Sequence, residues 1–187
     1  MNCLNLLHWM WTMAKTSIEH QTQDEMKIIL ELQKNSNESI DTIAKNCGFS
    51  RQKVWRIIKQ LENSHKIWGY SAIVDAKIQG LQKFIMFFKQ SMRILDTESA
   101  EKVNLNEIKK EYIEIGINIE SSHYIHGEYD WILIFTAKDI KHAKNFINLL
   151  HRKYPGLIEK LNLAQILYTP RDHYILNPSP LKVKEFL

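Results

Sequence analysis

Residues 39–61 read SIDTIAKNCGFSRQKVWRIIKQL, and the fold turns on how this stretch is parsed. Two short amphipathic patterns flank Cys47-Gly48-Phe49-Ser50. In the first, Ile40, Ile43 and Ala44 share a helical face behind Ser39, whose hydroxyl suits it to accept from the free amides of a helix start. Gly48 can take the positive φ at which a helix ends sharply. Ser50 stands as the cap of a second helix, in which Val54, Ile57, Ile58 and Leu61 form one apolar stripe. At about 100° per residue, Gln52, Arg56, Lys59 and Asn63 fall roughly opposite that stripe. Trp55 lies on its border, where an aromatic at the edge of the core is expected rather than a base-stacking wedge. A helix held by one face and carrying Arg, Lys, Gln and Asn on the other fits a DNA major groove, so the stretch reads as a helix-turn-helix.

Two helices of an ordinary bundle would show the same pattern, since any surface helix sets an apolar stripe against charges. The charge distribution separates the two readings. From Lys45 to Lys66, six basic residues (Lys45, Arg51, Lys53, Arg56, Lys59, Lys66) stand against one acid, Glu62, a local +5 in a chain of formal net charge +4. The rest of the chain is therefore near neutral. A basic excess confined to one element suits phosphate contact better than a generic solvated face.

The 187 residues allow one domain or two small ones, and an apolar fraction of 44% is ordinary for a soluble globular protein. Two cysteines, Cys3 and Cys47, are too few for a disulfide framework, and Cys47 reads as a small buried thiol at a helix end. No Cys/His group has the spacing of a structural zinc site and the eight histidines are scattered, so neither metal nor cofactor is expected. These features suit a reducing, cytoplasmic setting. No run of about 18 apolar residues is present, so no membrane span is expected. The opening MNCLNLLHWMWTMAK lacks a basic start and a small-residue cleavage site, which argues against a signal peptide. It reads as an arm outside the folded domains, or as residues upstream of a start at Met10 or Met13.

Residues 23–35 read as a first helix, with Asp24 near its start and Met26, Ile29, Leu30 and Leu32 on the buried side. Helices at about 24–35, 39–47 and 50–64 thus make a compact N-terminal domain. IWGYSAIVD, residues 67–75, has the β-branched and aromatic content of a strand. LQKFIMFFKQ, residues 81–90, is short enough for a buried strand, and the polar stretch 91–103 reads as a loop. Residues 104–116 have helical spacing through Leu105, Ile108 and Tyr112, ended by Gly116. Strands at 119–125 and 131–136 are joined by His126-Gly127-Glu128-Tyr129-Asp130. A helix at 139–154 carries Ala143, Phe146, Ile147 and Leu150 on one face, and a last strand covers 158–168.

The order β-α-β-β-α-β is that of a ferredoxin-like domain, whose two helices cover one face of the sheet. Phe84, Met86 and Phe88 alternate with Ile85 and Phe87, so both faces ask for burial, and a homodimer packed through the open face satisfies that demand. The fold class is α+β: an N-terminal winged-type helix-turn-helix domain plus a C-terminal ferredoxin-like βαββαβ domain. The expected organisation is an arm at 1–22, the DNA-binding domain at 23–66, a strand and hinge at 67–79, the ligand-binding and oligomerisation domain at 80–170, and a tail at 171–187.

These motifs together resemble the Lrp/AsnC, or feast/famine, family of transcription regulators. The resemblance runs from about Asp24 to Tyr168 and rests on IAKNCGFS, on VWRIIKQLE, on IWGYSAIVD followed by Gly80, and on HGEYD, which is similar to the family's Gly-x-Tyr-Asp turn. It implies a sequence-specific regulator binding double-stranded DNA as a homodimer, often assembled into tetramers or octamers. Two recognition helices would meet a roughly palindromic site. On that reading Ser50 and nearby amides hold phosphate, Arg51, Gln52, Lys53 and Arg56 reach bases or backbone, and Lys45 and Lys59 contact phosphate.

The resemblance also implies an amino-acid effector near Gly127, Tyr129 and Asp130, with backbone amides donating to its α-carboxylate and Asp130 accepting from its α-ammonium. The alternative is a structural turn, in which Gly127 permits the backbone and Asp130 bonds neighbouring amides. Four features depart from the family pattern. Leu161 and Leu163 stand where relatives often carry threonines, and His65 replaces a glycine after the recognition helix, a place that favours positive φ. Residues 91–103 are longer than the usual connection, and residues 170–187 form an extra tail.

Two rival readings follow from the same fold. Siroheme decarboxylases resemble this family but show a basic pair after the recognition helix, where this chain has Ile67-Trp68-Gly69-Tyr70; His123 and His126 read as exposed turn residues rather than haem ligands. An assembly partner without its own operator would not need the basic helix. The sequence therefore reads as a DNA-binding regulator with no catalytic residues.

Overall fold

The structure, a computed structural model, describes residues 20–91 and 108–179. The expected arm up to residue 19, nearly all of the loop at 91–103, the first residues of the helix expected from 104, and the tail beyond 179 lie outside the described residues. The chain divides into two compact units. One runs to Ile73 and includes the stretch from Pro170; the other is Val74–Thr169.

The first unit contains helices α1 (20–34), α2 (Ile40–Cys47) and α3 (Arg51–Asn63). Both serine caps form as read: Ser39 accepts from the Thr42 amide at 3.1 Å and Ser50 from the Lys53 amide at 3.2 Å. Gly48 closes α2 at φ 70°, its amide bonding carbonyls of the last turn. Ile28, Ile43, Ala44, Val54, Ile57 and Leu61 are the buried core, with Cys47 packed beside them, where burial raises its thiol pKa.

Helix α1 sits differently from its expected orientation. Met26 and Leu30, expected inside, are half exposed, while Ile28 is fully buried and Glu25 nearly so. The buried stripe is Glu25, Ile28, Ile29 and Leu32, spaced three, four and seven residues on, and Met26 and Leu30 fall off it. The buried carboxylate of Glu25 is held by Lys66 Nζ at 2.6 Å, just past α3, which satisfies a charge that would otherwise oppose burial. Asp24 similarly takes Lys53 Nζ at 2.7 Å, and Glu31 takes the Asn46 amide at 2.6 Å, so α1 is tied to both other helices. After α3, His65 adopts φ 56°, the left-handed conformation expected of a glycine there.

Residues 67–75, expected as a strand, are not one. A strand needs a neighbour for its ladder, and none of the described residues pairs with this stretch. Ile67 packs against the first unit's core, but Trp68, Tyr70, Ile73 and Val74 stay exposed, Trp68 97% accessible. A 3₁₀ turn, Ala76–Gln79, follows, capped by Asp75 and ended by Gly80 at φ 68°.

The second unit contains β1 (Gln82–Gln90), α4 (Lys109–Glu114), β2 (Asn118–Tyr124), β3 (Trp131–Ala137), α5 (Ile140–Lys153) and β4 (Ile158–Ile166). The sheet order is β2-β3-β1-β4, with every pairing antiparallel, which is the ferredoxin-like arrangement. Phe84, Met86 and Phe88 are buried and Ile85 and Phe87 partly so, as the alternation in the sequence required. The buried side packs against α4 and α5 through Tyr112, Ala143 and Phe146, whose ring lies 5.3 Å from that of Phe135. Gly116 ends the helical segment at φ 76°. A short hairpin, β5 (Arg171–Asp172) and β6 (Ile175–Leu176), belongs to the first unit.

Candidate nucleic-acid interface

Burial of Val54, Ile57 and Leu61 fixes which side of α3 faces outward. Gln52, Trp55, Arg56 and Lys59, spaced three, four and seven residues on, are all exposed. Among the described residues, the side chains of Gln52, Arg56 and Lys45 make no hydrogen bond or ion pair. Arg51 meets Asp41 at 3.1 Å with both groups two-thirds exposed, a pair that solvent weakens. The hydroxyl oxygen of Ser50 is engaged in capping, but its hydrogen remains able to donate. The amides that open α3 add the positive end of the helix dipole to this surface.

Lys53 is placed otherwise. Its ammonium bonds Asp24 and lies 4.0 Å over the Phe49 ring, directed at α1 rather than away from it. Lys59 is also engaged, with Nζ 2.7 Å from Glu62, whose second oxygen accepts from the Tyr70 hydroxyl at 3.1 Å. That lysine holds the Glu62 carboxyl below the usual carboxylate range. Sequence reasoning missed Glu62 and Tyr70 as a unit. It also missed the exposure of Trp55, which is 54% accessible and not an edge-of-core residue.

The turn between β2 and β3 is tied to the central strand. Asp130 donates its amide to Phe88 O at 2.8 Å, and its carboxylate accepts from the Gln90 amide at 2.7 Å and lies 3.4 Å from Lys89 Nζ. The Gln90 amide, above all, holds this carboxyl below its ordinary range. Tyr129 packs its ring 5.4 Å from Phe87, with Lys160 Nζ 5.2 Å from its centre. Gly127 does not use the left-handed region, and a Cβ there would meet nothing within 4 Å, so the backbone does not require glycine. That corrects the expectation that Gly127 is needed to permit the turn. Leu161 and Leu163 pack on the helix-side core, leaving Asn162 and Ala164 to alternate onto the opposite face. There Ile85 pairs with Ile134 and Phe87 with Ile132, a partly exposed apolar band on the sheet face away from the buried core.

Residues 25–67 match the family model described as winged helix-turn-helix DNA-binding. A helix-turn-helix-type transcriptional regulator of Bacillus subtilis is 24% identical over 158 residues, 83% of this chain and 84% of its own length. An AsnC family transcriptional regulator from Agrobacterium tumefaciens is similar in structure, with a TM-score of 0.61 and 18% identity, covering 88% of this chain and 98% of its own. A transcriptional regulator from Neisseria meningitidis, solved as a complex with L-Met, has a TM-score of 0.60 and 16% identity, covering 86% of this chain and 97% of its own. The protein is thus a helix-turn-helix transcription regulator. Its described elements, with the ferredoxin-like second unit, have the fold of the AsnC family regulator's structure.

Proposed function

We propose that α3 is the recognition helix of a cytoplasmic regulator, not an enzyme, that binds double-stranded DNA as a homodimer. The supporting observation is that Gln52 and Arg56 stand exposed and unpaired on the side of α3 opposite its buried stripe. Arg56 has the paired donors that suit a guanine edge, and Gln52 the donor and acceptor that suit an adenine edge. Lys45, Lys59, Arg51, Ser50 and the first amides of α3 suit phosphate. Lys53 acts on the interface by holding α3 to α1 rather than by direct contact. The apolar band of Ile85, Phe87, Ile132 and Ile134 is the surface through which two copies pair, and higher assemblies build on that dimer.

An amino-acid effector is the second reading, favoured by the L-Met complex of the Neisseria relative. Gly127, Tyr129 and Asp130 would form part of its site in this chain. Because the Asp130 carboxylate already serves the Gln90 amide, an ammonium ligand would share it rather than find it free.

The test is a gel shift of Arg56→Ala combined with Lys59→Ala. Loss of DNA binding with an unchanged oligomer is expected, and unchanged affinity rejects the recognition-helix assignment. Calorimetry against the amino acids, with Asp130→Ala as control, tests the effector; no heat with any of them rejects it.

A further inference from the structure

Trp55 is not part of the buried stripe that holds α3 to its domain. It is 54% exposed on a helix whose inward stripe is complete without it, and among the described residues its ring has no aromatic partner and its Nε1–H no acceptor. Its neighbours at three and four residues along the helix are Arg51, Gln52 and Lys59, groups suited to DNA, and Ile58, which packs toward the core.

We propose that Trp55 reads a thymine in the major groove, an inference that rests on α3 being the recognition helix. The argument is chemical complementarity. An indole offers a flat apolar face and a single N–H donor. Of the base edges in the major groove, thymine alone carries a methyl group, and it sets that methyl beside the O4 acceptor. Cytosine presents a donor at the equivalent position and no methyl, so an indole has nothing to accept its N–H there. Burial of the exposed ring against the methyl also removes apolar surface that the free protein leaves in water.

The test uses the full chain and duplexes that it selects from a random-sequence pool. Each thymine is then replaced by uracil, which deletes only the methyl group. One position per half-site should weaken wild-type binding about fourfold, the factor for losing one methyl-sized apolar contact. Trp55→Ala, which removes an exposed side chain and should fold normally by circular dichroism, should bind the same duplexes more weakly and be indifferent to uracil at that position. A flat uracil profile for the wild type, or the same profile in Trp55→Ala, overturns the assignment to Trp55. Failure of the pool to enrich, or full affinity in the Arg56→Ala, Lys59→Ala double variant, overturns the recognition-helix reading itself.

Discussion

Tyr70 donates its hydroxyl to Glu62 Oε1 at 3.1 Å, joining the stretch after α3 to the helix that carries Arg56. The same carboxylate takes Lys59 at its other oxygen. Burial, and then this bond, pushes the Tyr70 phenol up, so at neutral pH it stays a donor to an ionised Glu62. In the proposed DNA complex, one carboxylate would compete with phosphate for Lys59.

Glu62→Gln removes that competitor. The variant should bind mixed-sequence DNA about twofold to fivefold tighter at low salt, with the gain fading as salt screens exposed charges. Fluorescence anisotropy at two ionic strengths measures this; equal affinities at low salt would count against Lys59 as a phosphate contact.

His65 occupies φ 56°, where a β-carbon is unfavourable and glycine is at ease. His65→Gly should stabilise the first unit by about 0.5–1 kcal/mol, the relief of strain being partly offset by the freedom glycine gains when unfolded. Urea unfolding reads the difference, and a destabilised variant would show that the imidazole makes a compensating contact.

Ile134 is the cross-strand partner of Ile85 on the sheet face away from the buried core. A lysine there would place a charge inside the proposed dimer contact, so Ile134→Lys should sediment as a monomer. Its DNA affinity should drop by at least about tenfold, because two linked heads bind with an advantage that single heads lack. A dimeric Ile134→Lys would move the interface elsewhere.

Asp130 has a depressed pKa in the folded chain, so its contribution to stability is present above the ordinary carboxylate value and is lost as pH falls through the folded one. The second unit should therefore melt at lower temperature below about pH 4. Asp130→Asn should melt earlier than wild type at pH 7 and lose less on acidification. Parallel melting curves for the two proteins across this range would exclude the Gln90 contact as a stabilising one.

Local chemistry made most of this molecule readable. Ser39, Gly48 and Ser50 delimit α2 and α3 through bonds spanning three or four residues, and period-two alternation in residues 84–88 assigns the sheet faces without knowledge of the partner strands. What escaped depends on distant partners. Strand-forming composition at 67–75 yields no strand because pairing requires a second strand to be present. Trp55 sits at the border of its helical stripe, where exposure is decided by what else packs nearby. Lys53 is turned inward by Asp24, 29 residues earlier in the chain, and Asp130 by Gln90, 40 residues earlier. Charge counts along a helix register neither.

The pairing of β2 with β3 slips between Ile119 and Ser121, and β2 carries Asn118, Glu120, Ser121, Ser122 and His123 along the outer edge of the sheet. The opposite edge, β4, carries Glu159, Lys160, Asn162 and Gln165. A bulge and rows of polar side chains discourage a foreign strand from joining at either side. Strands recruited at an edge can extend without limit, whereas twofold contact through a face uses up the surface that makes it. The irregularity in β2 therefore works against open-ended, edge-to-edge association, the route that leads to fibres.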